Sequence, residues 1–267
     1  MSQKTDLYNN SYGNYAAEAY RQVRVETYGE DFGQTSWVTN EESHQIPKLL
    51  ELTPESNVLE IGCGSGAYAV HLAGSIGCSV TGLDVNENGV NNANKLVEER
   101  GLSEKVRFQQ CDVSKGIPFE ERTFDAVFAN DALCHIPGRQ QLLEEIYRVL
   151  KLRGRMLFSD ALIIGGAVTA EEIAARSSIG YYVYSPPGEN VTMLEAAGYA
   201  KIAASDTTDG AALIAGRWHD ARAKHREALV AAEGEPNFDG LQKFLDCVRT
   251  LTAERRLLRH VYLARRP

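Results

Sequence analysis

Short runs of apolar residues alternate with amphipathic stretches through the middle of the sequence, as in a parallel sheet whose strands are joined by helices. Five runs are predicted to be strands: Asn57–Ile61, Ser79–Leu83, Val106–Gln110, Phe124–Ala129 and Arg155–Ser159. Helical spacing between them predicts helices at Tyr68–Ser75, Gly89–Arg100 and Gln140–Leu150. The first, fourth and fifth runs are apolar almost throughout, which is typical of strands buried on both faces. We therefore expect an α/β fold with a doubly wound sheet.

The pattern loosens on both sides of this central part. Residues 1–50 are helical in places and broken by YGEDFGQTSW, which predicts a helical N-terminal arm. Beyond Asp160 the predicted elements are helices at Ala170–Ser177, Asn190–Ala197, Ala211–Ala232 and Leu241–Arg256, a strand at Ala200–Ala204 and a last edge strand at Leu258–Ala264. No linker is visible, so 1–267 is expected to be a single domain. It would consist of the N-terminal arm (1–50), the core (55–162), and the lid insertion together with the C-terminal part of the sheet (163–267).

Composition narrows the classes of partner. The chain has 28 Lys and Arg against 36 Asp and Glu, a net charge of −8, which opposes non-specific binding to nucleic acid or to an anionic membrane. It lacks the run of about 18 apolar residues that a membrane span needs and the apolar segment of a secretory signal, so a cytoplasmic protein is expected. The five cysteines show no CxxC pair and no metal-ligand spacing, so neither disulfides nor a metal site is expected. Nothing selects between a monomer and a homodimer.

The first predicted strand runs directly into a glycine-rich loop, EIGCGSG (60–66). Glycines let the chain turn tightly and approach a ligand, and the helix that follows offers unpaired amide groups. The glycines and Ala67 also fit the dinucleotide pattern GxGxxG/A, so they do not choose a cofactor alone. Glu60 favours a cationic ligand over a pyrophosphate. Asp84, at the end of the second strand, is placed to bind ribose hydroxyls. Asp112, after the third strand, is placed to bind an adenine amino group.

Five segments in order resemble the motifs of class I S-adenosylmethionine-dependent methyltransferases: VLEIGCGSGAYAVHLA, GLDVNENGV, FQQCDVSKGIPF, FDAVFANDALCHI and LLEEIYRVLKLRGRMLFSD. The resemblance covers roughly 55–162. It implies a Rossmann-like seven-stranded sheet, mostly parallel with an antiparallel last strand, and S-adenosyl-L-methionine as cofactor. The implied cofactor contacts are Glu60, Gly62, Gly64 and Gly66 (methionine end), Asp84 followed by Val85 (ribose), Asp112 and Val113 (adenine), and Asn130 (sulfonium end).

Further segments, YGEDF, DALCHI, LEAAGY and ASDTT, resemble small-molecule N-methyltransferases that act on phosphoethanolamine or on sarcosine and dimethylglycine. The resemblance implies methyl transfer to a small molecule, with an amine nitrogen as the first hypothesis. O- or C-methylation of a hydrophobic metabolite (terpenoid, quinone or polyketide) is the alternative, and a cofactor-binding module without catalysis is a third. Arg24 stands where the phosphoethanolamine enzymes would place a catalytic tyrosine, and Gly180 where they would place a phosphate-binding arginine, so a phosphorylated acceptor is not expected.

An amine must lose its proton before its lone pair can attack a methyl group, so this chemistry needs a base. His135, just past the fourth strand, is the candidate, because an ordinary histidine has a pKa of about 6.5. The alternatives are that His135 only positions ligands or only packs. Aromatic faces suit a cationic amine, although such residues also simply pack. The aromatic candidates for substrate contact are Tyr28, Trp37, Tyr181, Tyr182 and Tyr184.

Overall fold

A seven-stranded sheet runs through the centre of the protein in a computed structural model, which describes residues 5–267. The strands are β1 (Asn57–Ile61), β2 (Ser79–Asp84), β3 (Val106–Gln110), β4 (Phe124–Ala129), β5 (Leu150–Ile164), β6 (Ala200–Asp206) and β7 (Leu257–Arg265). Their order across the sheet is β3-β2-β1-β4-β5-β7-β6, with β1 to β5 parallel and β7 antiparallel to both of its neighbours. The predicted Rossmann-like sheet with an antiparallel last strand is confirmed.

Eleven α-helices are present in the part of the chain that the structure describes. They are α1 (Tyr8–Gly13), α2 (Glu18–Tyr28), α3 (Asn40–Leu49), α4 (Ala67–Ile76), α5 (Glu87–Glu99), α6 (Arg139–Val149), α7 (Ala170–Arg176), α8 (Glu189–Ala196), α9 (Thr208–Lys224), α10 (Arg226–Glu233) and α11 (Glu235–Ala253). Apolar side chains of α3, α4 and α5 cover one face of the sheet, and those of α6 and α8 cover the other. A third apolar cluster joins α2, α9 and α11 to the end of β5. None of these helices is both long and apolar enough to cross a membrane.

The position of β7 differs from the sequence prediction. Leu258–Ala264 was expected at an edge, but β7 pairs with β5 on one side and β6 on the other, so that expectation is wrong. The edge strand on this side of the sheet is β6, whose side chains are almost all exposed, whereas β7 alternates buried positions such as Arg259 and Tyr262 with half-buried ones. Alternation of apolar and polar residues does not distinguish an inner antiparallel strand from an edge strand, because in both of them successive side chains point to opposite faces of the sheet.

Two predicted elements have different lengths in the structure. The helix expected over Ala211–Ala232 is divided at His225 into α9 and α10. β5 continues on both sides of the predicted Arg155–Ser159, and its extension pairs with β7. The extension brings Asp160 to the segment that follows β5, where the Asn190 side chain donates to its carboxylate.

The lid insertion lies across the carboxyl ends of the parallel strands. It begins with α7, where Thr169 and Glu172 form a reciprocal capping box. The loop after α7 is hydrogen-bonded back onto the sheet: the Val183 amide donates to the Cys134 carbonyl (2.8 Å), and the Ser185 amide donates to the Leu162 carbonyl (3.0 Å). The predicted lid insertion is confirmed, and it is tied directly to the segment that follows β4.

A buried ion pair between α6 and β5 also binds α8, which follows the loop of the lid. Arg139, at the start of α6, pairs with Asp160 of β5, and both side chains are almost fully buried. Asn190 of α8 donates to the same carboxylate (3.0 Å) and accepts from Arg139 (2.8 Å). Because each charge has the other as its partner, loss of either one leaves an uncompensated ion in the interior.

We predict that Asp160→Ala lowers the free energy of unfolding by about 3–5 kcal/mol, because the Arg139 cation stays buried without its anion. Urea unfolding followed by circular dichroism measures the change. Asp246→Ala is the matched control, since Asp246 pairs with Arg249 on an exposed helix face and its loss should change stability little. Equal effects of the two substitutions would contradict the prediction.

Candidate active site

A cavity of about 820 Å³ lies at the carboxyl ends of the parallel strands. Three parts of the chain line it: the strand ends with the glycine loop, the N-terminal arm, and the lid at 179–181. This is the crevice in which open α/β sheets bind their ligands, and the volume suits one cofactor with a small second ligand.

The glycine loop forms one wall of this cavity with its backbone. Gly62, Gly64 and Gly66 all have positive φ angles, of 75°, 52° and 74°. A Cβ on Gly64 would lie 2.7 Å from the hydroxyl of Tyr12, which covers the loop. Gly62 and Gly64 line the cavity, whereas Gly66 is the N-cap of α4 and faces the buried ring of Phe108. The structure thus places Gly66 behind the wall, where it permits the turn and the close packing of α4.

Two carboxylates stand beside the loop. Asp84 accepts hydrogen bonds from the amides of Gly64 and Asn86, both at 2.8 Å, so it ties the loop to the end of β2. Glu60 is buried, and its Oε2 has no hydrogen-bond partner among residues 5–267. Burial, with a smaller effect of Asp84, raises the pKa of Glu60 well above its usual value. A cationic ligand group beside Glu60 would supply the partner that this carboxylate lacks.

The other predicted cofactor residues continue the same wall, and all of them line the cavity. Val85 is 66% exposed there, an apolar surface on which a flat ring can pack. The Asp112 carboxylate accepts from the Ser114 hydroxyl at 2.6 Å, which contributes to a lowered pKa. Val113 is buried, and Asn130 has a side-chain oxygen without a partner in the described part of the chain.

His135 and Tyr8 form a hydrogen-bonded pair at the end of the cavity beyond β4. The Tyr8 hydroxyl lies 2.8 Å from His135 Nε2, and His135 Nδ1 lies 3.2 Å from the Tyr181 carbonyl. A carbonyl only accepts, so Nδ1 carries the proton and Nε2 accepts from Tyr8. Burial, reinforced by the cation of Arg176, lowers the pKa of His135 to about 4, so the imidazole is neutral at pH 7.

The tyrosine of this pair is not at position 24, where the resemblance to phosphoethanolamine enzymes would place a catalytic tyrosine. Arg24 does not line the cavity: its Nε donates to Asp31 at 2.7 Å, and its guanidinium lies 4.4 Å from the ring centre of Tyr15. The hydroxyl group beside His135 belongs to Tyr8, which lies 127 residues earlier in a short helix. Sequence reasoning missed Tyr8, because no local motif links it to a histidine so far along the chain.

Helix α1, which carries Tyr8, is held over the cavity by polar contacts to α5. The Asn92 side chain donates to the Tyr12 carbonyl (2.7 Å), and the Asn86 side chain donates to Asn9 (2.8 Å). The hydroxyl of Tyr12 lies 3.2 Å from Thr35, so the helix also contacts the loop of the arm. The result is a cover over the glycine loop that also brings Tyr8 to His135.

One of the five aromatic candidates reaches the cavity. Tyr181 lines it and is 58% exposed, whereas Tyr182 and Tyr184 lie behind the wall. Tyr28 and Trp37 are almost fully buried among the helices of the arm and α9. Apart from Tyr181, these rings therefore pack, which is the alternative role considered for them.

Asp131 connects the segment after β4 to two distant parts of the chain. It has a positive φ of 53°, and its buried carboxylate accepts from Arg259 of β7 (Nε, 2.9 Å) and from the Trp37 amide of the arm (2.9 Å). The Asp131 amide donates to the Ser159 hydroxyl at 2.9 Å, and Arg259 also pairs with Glu42 of α3 (2.6 Å). These contacts fix where the chain leaves β4 and thus where His135 lies.

The charged side chains that line the cavity are acidic. They are Asp6, Glu60, Asp84, Asp112 and Asp131, and no Lys or Arg of residues 5–267 joins them. Over the same range no three His, Cys, Asp or Glu side chains come together as metal ligands would. The wall offers a phosphate group no ion pair, and it suits a neutral or cationic ligand.

Comparison with known proteins agrees with this geometry. Residues 59–158 match the family model of a methyltransferase domain. A sterol 24-C-methyltransferase of Gibberella zeae is 36% identical over 150 residues, 56% of this chain and 37% of that protein. A phosphoethanolamine N-methyltransferase of Arabidopsis thaliana is 26% identical over 214 residues, 80% of this chain and 42% of that protein. The chain therefore spans less than half the length of these two relatives.

A solved structure shows the same fold. It is the phosphoethanolamine N-methyltransferase 2 of Haemonchus contortus in complex with phosphomonomethylethanolamine and S-adenosylhomocysteine. The TM-score is 0.80 at 21% identity, over 98% of this chain and 61% of that one. The matched family and the sheet topology together identify residues 59–158 as a methyltransferase domain, and the ordered motifs around it are similar to those of class I S-adenosylmethionine-dependent methyltransferases.

Proposed function

We propose that this protein transfers a methyl group from S-adenosylmethionine to the amine nitrogen of a small molecule. The observation that carries the proposal is the hydrogen bond between Tyr8 and a neutral His135 at the end of the cavity beyond the glycine loop. A base in its neutral form, reached through a hydroxyl group, is what a protonated amine needs in order to become a nucleophile.

The residues around the glycine loop fit the cofactor. The unpaired carboxylate oxygen of Glu60 suits the ammonium group at its methionine end, Asp84 suits the ribose hydroxyls, and the exposed face of Val85 suits the adenine ring. When bound, S-adenosylmethionine supplies a methyl group already activated on a sulfonium. The protein then has to position the acceptor, exclude water and remove a proton.

The Tyr8–His135 pair can perform the proton transfer. The phenol donates to His135 Nε2, so its oxygen is left to accept a hydrogen bond from an ammonium group in the cavity. As that proton moves to the Tyr8 oxygen, the Tyr8 proton moves to His135. Burial raises the pKa of Tyr8 well above its usual value, so the phenol gives up its proton only as it receives another.

The acidic wall favours an amine acceptor over a phosphorylated one, in line with the sequence-based expectation. A second candidate is O- or C-methylation of a hydrophobic metabolite. Its support is the apolar surface that Ile136, Pro137 and Ile179 add to the cavity near His135, together with the similarity to a sterol C-methyltransferase.

Incubation with methyl-labelled S-adenosylmethionine and panels of amine, hydroxyl and carbon acceptors separates these candidates. Label in amine products supports the leading proposal, and label only in hydroxyl or carbon products supports the second. Tight cofactor binding without transfer to any class of acceptor would indicate a cofactor-binding module.

We predict that Asp84→Ala weakens S-adenosylmethionine binding by about 1–3 kcal/mol, because charge-assisted hydrogen bonds to the ribose are lost. Isothermal titration calorimetry measures the affinity. Asp246→Ala, on the exposed face of α11, controls for the change of net charge. An unchanged affinity in folded Asp84→Ala would remove Asp84 from the cofactor site.

We predict that His135→Ala lowers turnover by about 10²–10⁴-fold and leaves cofactor affinity nearly unchanged. The loss should shrink as the pH rises toward the pKa of the acceptor amine, because a neutral amine needs no base. Tyr8→Phe should show the same recovery at high pH, since it removes only the hydroxyl of the pair. Rate profiles against pH, measured with one acceptor, test both.

Tyr184→Phe is the matched control, because its hydroxyl contacts Ser177 behind the cavity wall and should be dispensable for turnover. If the profiles of wild type and His135→Ala run parallel at a constant offset, His135 takes no part in proton transfer. If turnover and cofactor affinity fall together, it positions the cofactor instead.

A further inference from the structure

Arg176, the last residue of α7, is a fully buried cation without an anion. It is 1% exposed, its Nε and Nη1 have no hydrogen-bond partner, and no carboxylate of residues 5–267 forms an ion pair with it. Other fully buried arginines differ: Arg139 pairs with Asp160, Arg222 with Glu233 and Arg259 with Asp131. An unpaired buried charge is costly, so its presence at one particular place calls for a reason.

Aromatic rings take the place of the missing anion. The guanidinium carbon lies 4.4 Å from the ring centre of Tyr182, 5.1 Å from that of Phe244 and 5.7 Å from that of Trp37. Such contacts partly stabilise a desolvated cation, but they do not neutralise it. The positive field of Arg176 therefore extends beyond the rings.

The imidazole of His135 also packs against the ring of Tyr182. Its ring centre lies 4.4 Å from that of Tyr182, at an interplanar angle of 39°, and Tyr8 meets it edge-on at 5.5 Å. The order of groups is thus Arg176, Tyr182, His135, Tyr8. A proton on His135 would place a second cation one ring away from Arg176 in a buried region, which Coulomb repulsion opposes.

Other titratable groups face this stack. Asp131 acts in the opposite sense on His135, but its carboxylate is already paired with Arg259. Burial raises the pKa of the Cys134 and Tyr182 side chains, so both are neutral at pH 7. Tyr184 and Cys247 are the other titratable groups near Arg176, and burial keeps both of them neutral as well. Of the two charges that act on His135, Arg176 is therefore the one that lacks a counterion within the described structure.

We propose that Arg176 is a positioning residue for the Tyr8–His135 pair: acting across the ring of Tyr182, its cation keeps the imidazole neutral, so that Nε2 stays available to accept the hydrogen bond from Tyr8. The benefit for catalysis rests on the proposed function of His135 as a base. The coupling between Arg176 and His135 does not, so the two can be tested separately.

Histidine titration by NMR tests the coupling without any acceptor. In Arg176→Met the midpoint of His135 should rise by about one pH unit relative to wild type, whereas Arg176→Lys, which keeps the charge, should restore it. The signal missing from His135→Gln assigns the resonance. Arg266→Met is the matched control: Arg266 is also buried and lies 4.4 Å from the ring of Tyr147, but it contacts the end of α6 and should leave the midpoint unchanged.

If Arg176→Met does not fold, as a melting curve would show, Arg176→Gln gives the same test with an uncharged polar side chain. An unchanged His135 midpoint in a folded, uncharged variant overturns the proposal. A rise in KM confined to anionic acceptors, with an unchanged midpoint, would also overturn it and assign Arg176 to anion binding.

With an amine acceptor in hand, the acid limb of the rate profile should move to higher pH by the same amount as the His135 midpoint in the uncharged variant. A shifted midpoint with no methyl transfer to any acceptor supports the coupling and refutes the proposed function, so the two failures are distinguishable.

Discussion

The buried ion pair between Asp131 and Arg259 is the constraint on which the site depends. Asp131 has a left-handed backbone, and its buried carboxylate needs the guanidinium that faces it as a counterion. Since Arg259 belongs to β7, that strand must lie inside the sheet, next to β5, for the pair to form. The amide of Trp37 completes the set of donors, so the same carboxylate also fixes the path of the arm.

From this point three remote segments converge on one imidazole. The turn after β4 presents His135, the arm brings the hydroxyl of Tyr8, and the lid contributes the Tyr181 carbonyl and the Tyr182 ring. Each contact acts on a different property of the imidazole: the carbonyl selects the tautomer, the hydroxyl occupies the accepting nitrogen, and enclosure by the rings favours the uncharged form. The chemistry of the residue thus results from its surroundings more than from its type.

The strands of the core and the glycine loop could be predicted from the sequence because their signals are local. Short runs with apolar residues mark β1 to β4, and in recognisable motifs Asp84 ends β2 and His135 follows β4. The remaining features depend on contacts between distant positions. Tyr8 meets its partner across 127 residues, and the inner place of β7 follows from two neighbours that no periodicity encodes. For the same reason the aromatic residues near the lid could be found in the sequence, but their division into cavity wall and packing could not.

The arrangement of α1 has a consequence for the timing of events. One short helix holds both the Tyr12 side chain over Gly64 and the Tyr8 hydroxyl at His135. A displacement large enough to expose the glycine loop therefore also separates the phenol from the imidazole. Uncovering the loop that we propose for the cofactor and keeping the proposed base assembled therefore exclude each other in these six residues.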